Sequence, residues 1–124
     1  MKGEALLVAK HVVFRQALAL ILESHADLKA VQVGSLAEAH QVLRTPEAQQ
    51  PDLAVVDLEL PDGEGFELIG EIRGGWPQVP VLALTTGGEP DRHTRATEAG
   101  AGAVLTMAAS SEEFLKEVRR LEDG

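Results

Sequence analysis

Residues 51–65 read PDLAVVDLELPDGEG, and the fold turns on how this stretch is read. Leu53-Ala54-Val55-Val56 is a short apolar run with adjacent β-branched valines, bounded by Pro51 and by Pro61-Asp62-Gly63. A run of that length between turn residues fits a strand buried on both faces. Asp57 follows directly, where such a strand ends. A carboxylate there stands at the rim of a parallel α/β sheet, the place where chemistry gathers in open sheets of this kind.

Outward from this stretch, apolar runs and helical patterns alternate. Ala5 to Ala9 reads as a first strand. Val13 to Glu23 follows as a helix, with Phe14, Ala17, Leu18, Ile21 and Leu22 at helical spacing. Leu28 to Val33 alternates apolar and polar residues, the mark of an edge strand. Ser35 and Glu38 have capping-box spacing and open a second helix, which should end by Thr45, before Pro46. After Asp57 and a Pro-Asp-Gly turn, Leu68, Ile69 and Ile72 give a third helix its apolar face, and Gly74-Gly75 stops it. Val81-Leu82-Ala83-Leu84 is a buried strand. Gly87-Gly88 reads as a flexible loop before a helix from about Pro90 to Ala99, capped by Gly100. Ala103 to Thr106 is the last strand. Ser110 and Glu113 again have capping-box spacing before a closing helix that carries Phe114, Leu115, Val118 and Leu121.

Strict alternation of this kind gives a doubly wound (βα)₅ sheet, parallel and covered on both faces. With right-handed crossovers and an edge-like second strand, the order is 2-1-3-4-5, the flavodoxin-like α/β arrangement. The strand ends then bring Ala9-Lys10, Asp57, Thr85-Thr86 and Thr106-Met107 to one shallow pocket.

Composition bounds the function. The 124 residues are enough for one domain with a real core, and the chain reads as a single domain over 1–124. There is no cysteine, so disulfides, thiolate metal sites and cysteine catalysis are excluded, which suits the cytoplasm. No run approaches the ~18 apolar residues of a membrane span, and MKGEALLVAKH is too polar for a signal peptide. The net charge of −9 sets the surface against nucleic acid phosphates, so no nucleic acid binding is expected of this domain alone. No nucleophile–base pair and no glycine-rich phosphate loop is visible, and an enzyme is not expected. His11, His25, His40 and His93 lack metal-ligand spacing.

Four pieces of the chain together resemble the receiver domain of bacterial two-component response regulators. They are LLVAKHVVFRQALALIL, PDLAVVDLELPDGEGFELI, VPVLALTT and EAGAGAVLTMAASSEEFLKEV. The resemblance is strongest to the NarL/FixJ-like branch, which usually carries a C-terminal helix-turn-helix; no such output domain is read in this chain. It implies that Asp57 holds the position that accepts a phosphoryl group from a sensor histidine kinase. It implies that Thr85 is the hydroxyl that follows the phosphoryl oxygen, and that Pro61 and Gly65 shape the loop.

Three positions depart from the pattern. Ala9-Lys10 stands where the family has an acidic pair that holds Mg²⁺. Met107 replaces the lysine that pairs with the phosphoryl group, and Val104 stands where an aromatic side chain often turns inward. Thr86 also follows Thr85 where a smaller residue is common. A thioether does not replace an ammonium, and Ala9 offers no oxygen to a metal. The expectation is an atypical receiver with weak or absent Mg²⁺ binding, in which Lys10 pairs with Asp57. Glu59, Asp62 and Glu64 read as a solvated acidic loop rather than a substitute metal site, and Asp91, Arg92, His93 and Arg95 as a solvated helix face. Output is expected through protein contact or self-association on the face made by the fourth helix, fifth strand and fifth helix. Two alternatives stay open: a working phosphoacceptor at Asp57 that regulates an attached DNA-binding domain, and a small-ligand-binding receiver.

Overall fold

A computed structural model describes residues 3–45, 50–87 and 89–123. The elements run β1 (Gly3–Val8), α1 (Val12–His25), β2 (Leu28–Val33), α2 (Leu36–Arg44), β3 (Leu53–Asp57), β4 (Glu59–Leu60), β5 (Gly63–Glu64), α3 (Gly65–Gly75), β6 (Val81–Thr85), α4 (Pro90–Ala99), β7 (Ala103–Thr106) and α5 (Ser111–Asp123). Five strands form one sheet in the order β2-β1-β3-β6-β7, all pairs parallel. That is the expected 2-1-3-4-5 order, with β2 at an edge. The turn after Asp57 is itself a two-stranded antiparallel ribbon, β4 with β5, which the sequence pattern does not signal.

Strand parity divides the core. Leu6, Val8, Ala54, Val56, Val81 and Ala83 face one side, where α2, α3 and α4 supply Ala39, Leu68, Ile69, Ile72 and Ala96. Ala5, Leu7, Leu53, Val55, Leu82 and Leu84 face the other, with Leu18 and Leu22 of α1 and Phe114 and Val118 of α5. The central strand β3 is buried throughout because helices cover both of its faces.

Local signals act as read. Ser35 Oγ accepts from the Glu38 N–H at 3.2 Å, while Glu38 reaches back to the Gly34 N–H. Ser110 and Glu113 form the reciprocal pair, each side chain accepting from the other's backbone N–H. Gly100 ends α4 at φ 126°, a conformation that favours glycine. Pro46 and Gly88, which carry the expected stop of the second helix and part of the loop before the fourth, lie outside the described residues.

Candidate functional site

Parallel register sets the strand ends side by side. Val8 pairs with Val56, Asp57 with Leu84, and Thr85 with Thr106, so the segments that follow β1, β3, β6 and β7 share one rim. Asp57 is fully buried there. Its Oδ1 accepts from the Glu59 N–H at 2.9 Å, and its Oδ2 from the Lys10 N–H at a longer 3.5 Å. Burial raises the Asp57 pKa above its ordinary 3.8. The two backbone N–H groups oppose that rise, the Glu59 charge adds to it, and the Lys10 charge opposes it least.

The expected ion pair between Lys10 and Asp57 is not formed. Lys10 is exposed and takes part in no ion pair among the described residues; its contact with Asp57 is through the backbone. An ammonium at an open rim keeps its hydration, and reaching a fully covered carboxylate would strip it. Ala9 is buried, donates to the Val33 carbonyl at 3.1 Å and accepts from Arg15 at 2.8 Å, both through its backbone.

Glu59 organises the other half of the rim. Its Oε1 accepts from the Thr86 N–H and the Thr86 hydroxyl, each at 3.0 Å. Its Oε2 accepts from the Thr85 hydroxyl at 3.3 Å and from Arg92 at 2.6 Å. Burial works to raise the Glu59 pKa, but the Thr86 donors and the Arg92 guanidinium outweigh it and hold the carboxyl below its ordinary 4.5. Arg92 also reaches Glu64 at 3.0 Å, and its guanidinium lies 5.1 Å from the Phe66 ring centre. Arg95 covers the same ring at 4.2 Å.

Two expectations are therefore corrected. Arg92 departs from the solvated face, lying over Phe66 and closing on the loop carboxylates, whereas Asp91, His93 and Arg95 are exposed as expected. The acidic loop is not simply solvated either. Asp62 accepts from the Leu36 and Ala37 N–H groups at 2.8 and 3.0 Å, which caps the start of α2 from a distance and lowers its own pKa. Lys10, Asp57, Glu59, Thr85 and Thr86 thus come together, and Arg92 joins them unforeseen. The one signal for Arg92 was its place in the first turn of a helix that starts beside an acid-rich loop.

Val104 and Met107 stand apart from this cluster. Val104 packs on the α3/α4 side of the core, and the Met107 side chain on the α1/α5 side. Met107 meets the site through its backbone, its N–H donating to the Thr85 carbonyl at 2.9 Å. No group of three or more His, Asp or Glu side chains able to hold a metal ion occurs among the described residues. No helix among them is long and apolar enough to cross a membrane.

The chain is similar in sequence and in fold to known proteins. The chain is 34% identical over 119 residues to the DNA-binding transcriptional activator DevR/DosR of Mycobacterium tuberculosis, covering 95% of this chain and 54% of that protein. It is 28% identical over 126 residues to the response regulator VraR of Staphylococcus aureus, covering 98% of this chain and 57% of the other. It spans about half the length of these relatives. The crystal structure of a LuxR-family two-component response regulator from an Aurantimonas species superposes with a TM-score of 0.88 at 24% identity, over 100% of this chain and 87% of that one. The family model of the response regulator receiver domain matches residues 5–119, nearly every element from β1 to α5. With the sheet order and a buried aspartate at the end of β3, this places the chain in the response regulator receiver family: it is the receiver domain of a two-component response regulator.

Proposed function

We propose that this receiver is a signalling and protein-interaction module that works without ordinary Mg²⁺-dependent phosphorylation of Asp57. The observation that carries this is the donor set of the rim. A divalent ion in such a site needs several free oxygen ligands. At the end of β1 Ala9 has only a methyl group to offer and the Lys10 side chain is exposed, and the Glu59 carboxylate is already committed to two threonines and an arginine. Mg²⁺ does not fit this set. Met107 turns its thioether into the core, so no ammonium from the end of β7 meets charge developing at Asp57.

The output is contact with a protein, a sensor histidine kinase or a second copy of the chain among the candidates, through the face of α4, β7 and α5. Its relative DevR/DosR is a DNA-binding transcriptional activator. By analogy, an attached DNA-binding domain is the target of control. The competing assignment, a phosphoacceptor at Asp57, is favoured by one feature: Asp57 and Thr85 are both present and both buried at adjacent strand ends.

Intact-mass measurement after incubation with a small phosphodonor and Mg²⁺ separates the two. No mass gain is expected for the wild-type chain. A gain of one phosphoryl group, absent in Asp57→Asn, would establish the phosphoacceptor instead. In the triple variant Ala9→Asp, Lys10→Asp, Met107→Lys, phosphorylation should appear if those three losses alone disabled the site.

A further inference from the structure

Four donors converge on one carboxylate at the rim, two to each oxygen: the Thr86 N–H and hydroxyl on Oε1 of Glu59, the Thr85 hydroxyl and Arg92 on Oε2. We infer that these donors form an oxyanion socket and that Glu59 is its built-in occupant, an internal competitor that any oxyanion brought to the rim must displace. The ligand class is a small oxyanion, whether a planar carboxylate or a tetrahedral phosphate.

Two of the socket's residues, Thr85 and Arg92, are held by contacts other than Glu59. Thr85 is fixed by the pairing of β6 with β7 and by the bond from the Met107 N–H to its carbonyl. Arg92 is held independently by Glu64 and by the face of Phe66. Its Nε is buried without a partner, so a donor beyond those Glu59 uses is already desolvated there. A planar guanidinium with neighbouring hydroxyl and amide donors is the set that recognises carboxylate and phosphate. A tethered side chain holds the socket against free ligands at millimolar concentration, because its effective concentration is of that order or higher. The nearby charges of Asp57 and Glu64 limit affinity further.

Occupancy reaches beyond the rim. Ala96 is the one buried side chain of α4, so that helix has little apolar anchorage and leans on Arg92 and Arg95 instead. Whatever anion takes Glu59's place also takes over this hold on α4. Glu59 plays this part whether or not Asp57 is ever phosphorylated, and the test uses neither Mg²⁺ nor a phosphodonor.

The experiment is thermal unfolding of wild type, Glu59→Ala and Glu59→Ala/Arg92→Ala in phosphate, in acetate and in chloride of equal ionic strength. The wild type reports the general salting effect of each anion. Beyond that effect, phosphate at ten times its dissociation constant should raise the Glu59→Ala midpoint by about 5 °C, saturably. The double variant should follow the wild type. A response to acetate alone marks a carboxylate socket, and a response to phosphate alone a tetrahedral one. If Glu59→Ala does not fold, Glu59→Ser empties the socket with a polar stub and is read in the same way. No excess stabilisation by either anion, or equal stabilisation in the double variant, overturns the inference.

Discussion

Gly65 and Gly70 lie five residues apart on α3, and alanine should have opposite effects at the two. A Cβ at Gly65 would lie 2.4 Å from the Asp57 carbonyl oxygen, 2.9 Å from the Leu58 Cα and 3.1 Å from the Asp57 carbonyl carbon. Ordinary contact begins near 3.4 Å, so the backbone carrying Asp57 must retreat by about 1 Å. Forcing a methyl into packed surroundings costs about 1–3 kcal/mol. The retreat also strains the bond from the Gly65 N–H to the Leu58 carbonyl, 2.9 Å long and worth about 1 kcal/mol net. The helix-propensity gain of alanine is small at this first helical position. Gly65→Ala should therefore lose about 2–3 kcal/mol. At Gly70 an added Cβ meets nothing within 4 Å, and the residue is an exposed helix-interior position, so Gly70→Ala should gain about 0.5–1 kcal/mol. Urea unfolding of both variants at one temperature gives the two values with unchanged slopes. A Gly65→Ala chain as stable as wild type would refute the claim that α3 rests directly on the backbone of Asp57.

Three further outcomes are expected. Asp57→Asn keeps an acceptor for the Glu59 N–H and removes a buried charge, so it should be more stable than wild type at pH 7. The folded-state pKa of Asp57 lies above 3.8, so its contribution is fully present below 3.8 and is lost as pH rises through the folded value; the advantage of Asn should fade toward acid, and pH-dependent melts showing it less stable at pH 7 would count against burial as the dominant cause. Arg92→Ala removes two carboxylate contacts and the stacking on Phe66, for a loss of about 1–2 kcal/mol by denaturant unfolding; Arg92→Lys should recover only part, since an ammonium lacks the planar fork. Asp62→Ala leaves the Leu36 and Ala37 N–H groups without their acceptor, and amide exchange there should quicken while the middle of α3 is unaffected.

The sheet could be read from the chain because its information is local. Apolar runs such as Leu53–Val56 and Val81–Leu84 announce buried strands, and the Ser35/Glu38 and Ser110/Glu113 pairs announce helix starts three residues apart. The family resemblance rested on the same local stretches, so Asp57 and Thr85 could be placed at strand ends. What local pattern does not carry joins distant segments. Asp62 caps a helix that begins 26 residues earlier, and Arg92 closes on Glu59 from 33 residues away. Neither contact leaves a periodicity, and both depend on where the loop after β3 comes to rest. The direction of Lys10 is hidden for a different reason: its charge is visible in sequence, but the balance between hydration and attraction is set by the burial of its partner.

That balance accounts for two carboxylates, two residues apart, shifted in opposite directions. Asp57 is fully covered, so a cation must leave water to reach it; only backbone dipoles do so, and burial prevails. Glu59 is about a quarter exposed, with a side-chain accessibility of 24% against 21% for Arg92. Both partners lose water there too, and burial works against the charge on each, but the Thr86 donors and a guanidinium that is less strongly hydrated than an ammonium offset that cost. Attraction therefore prevails at Glu59, and its proton is held less tightly than usual while that of Asp57 is held more tightly. The fixed negative charge of the rim at neutral pH accordingly rests most securely on Glu59, beside Thr85, rather than on the aspartate that the family uses.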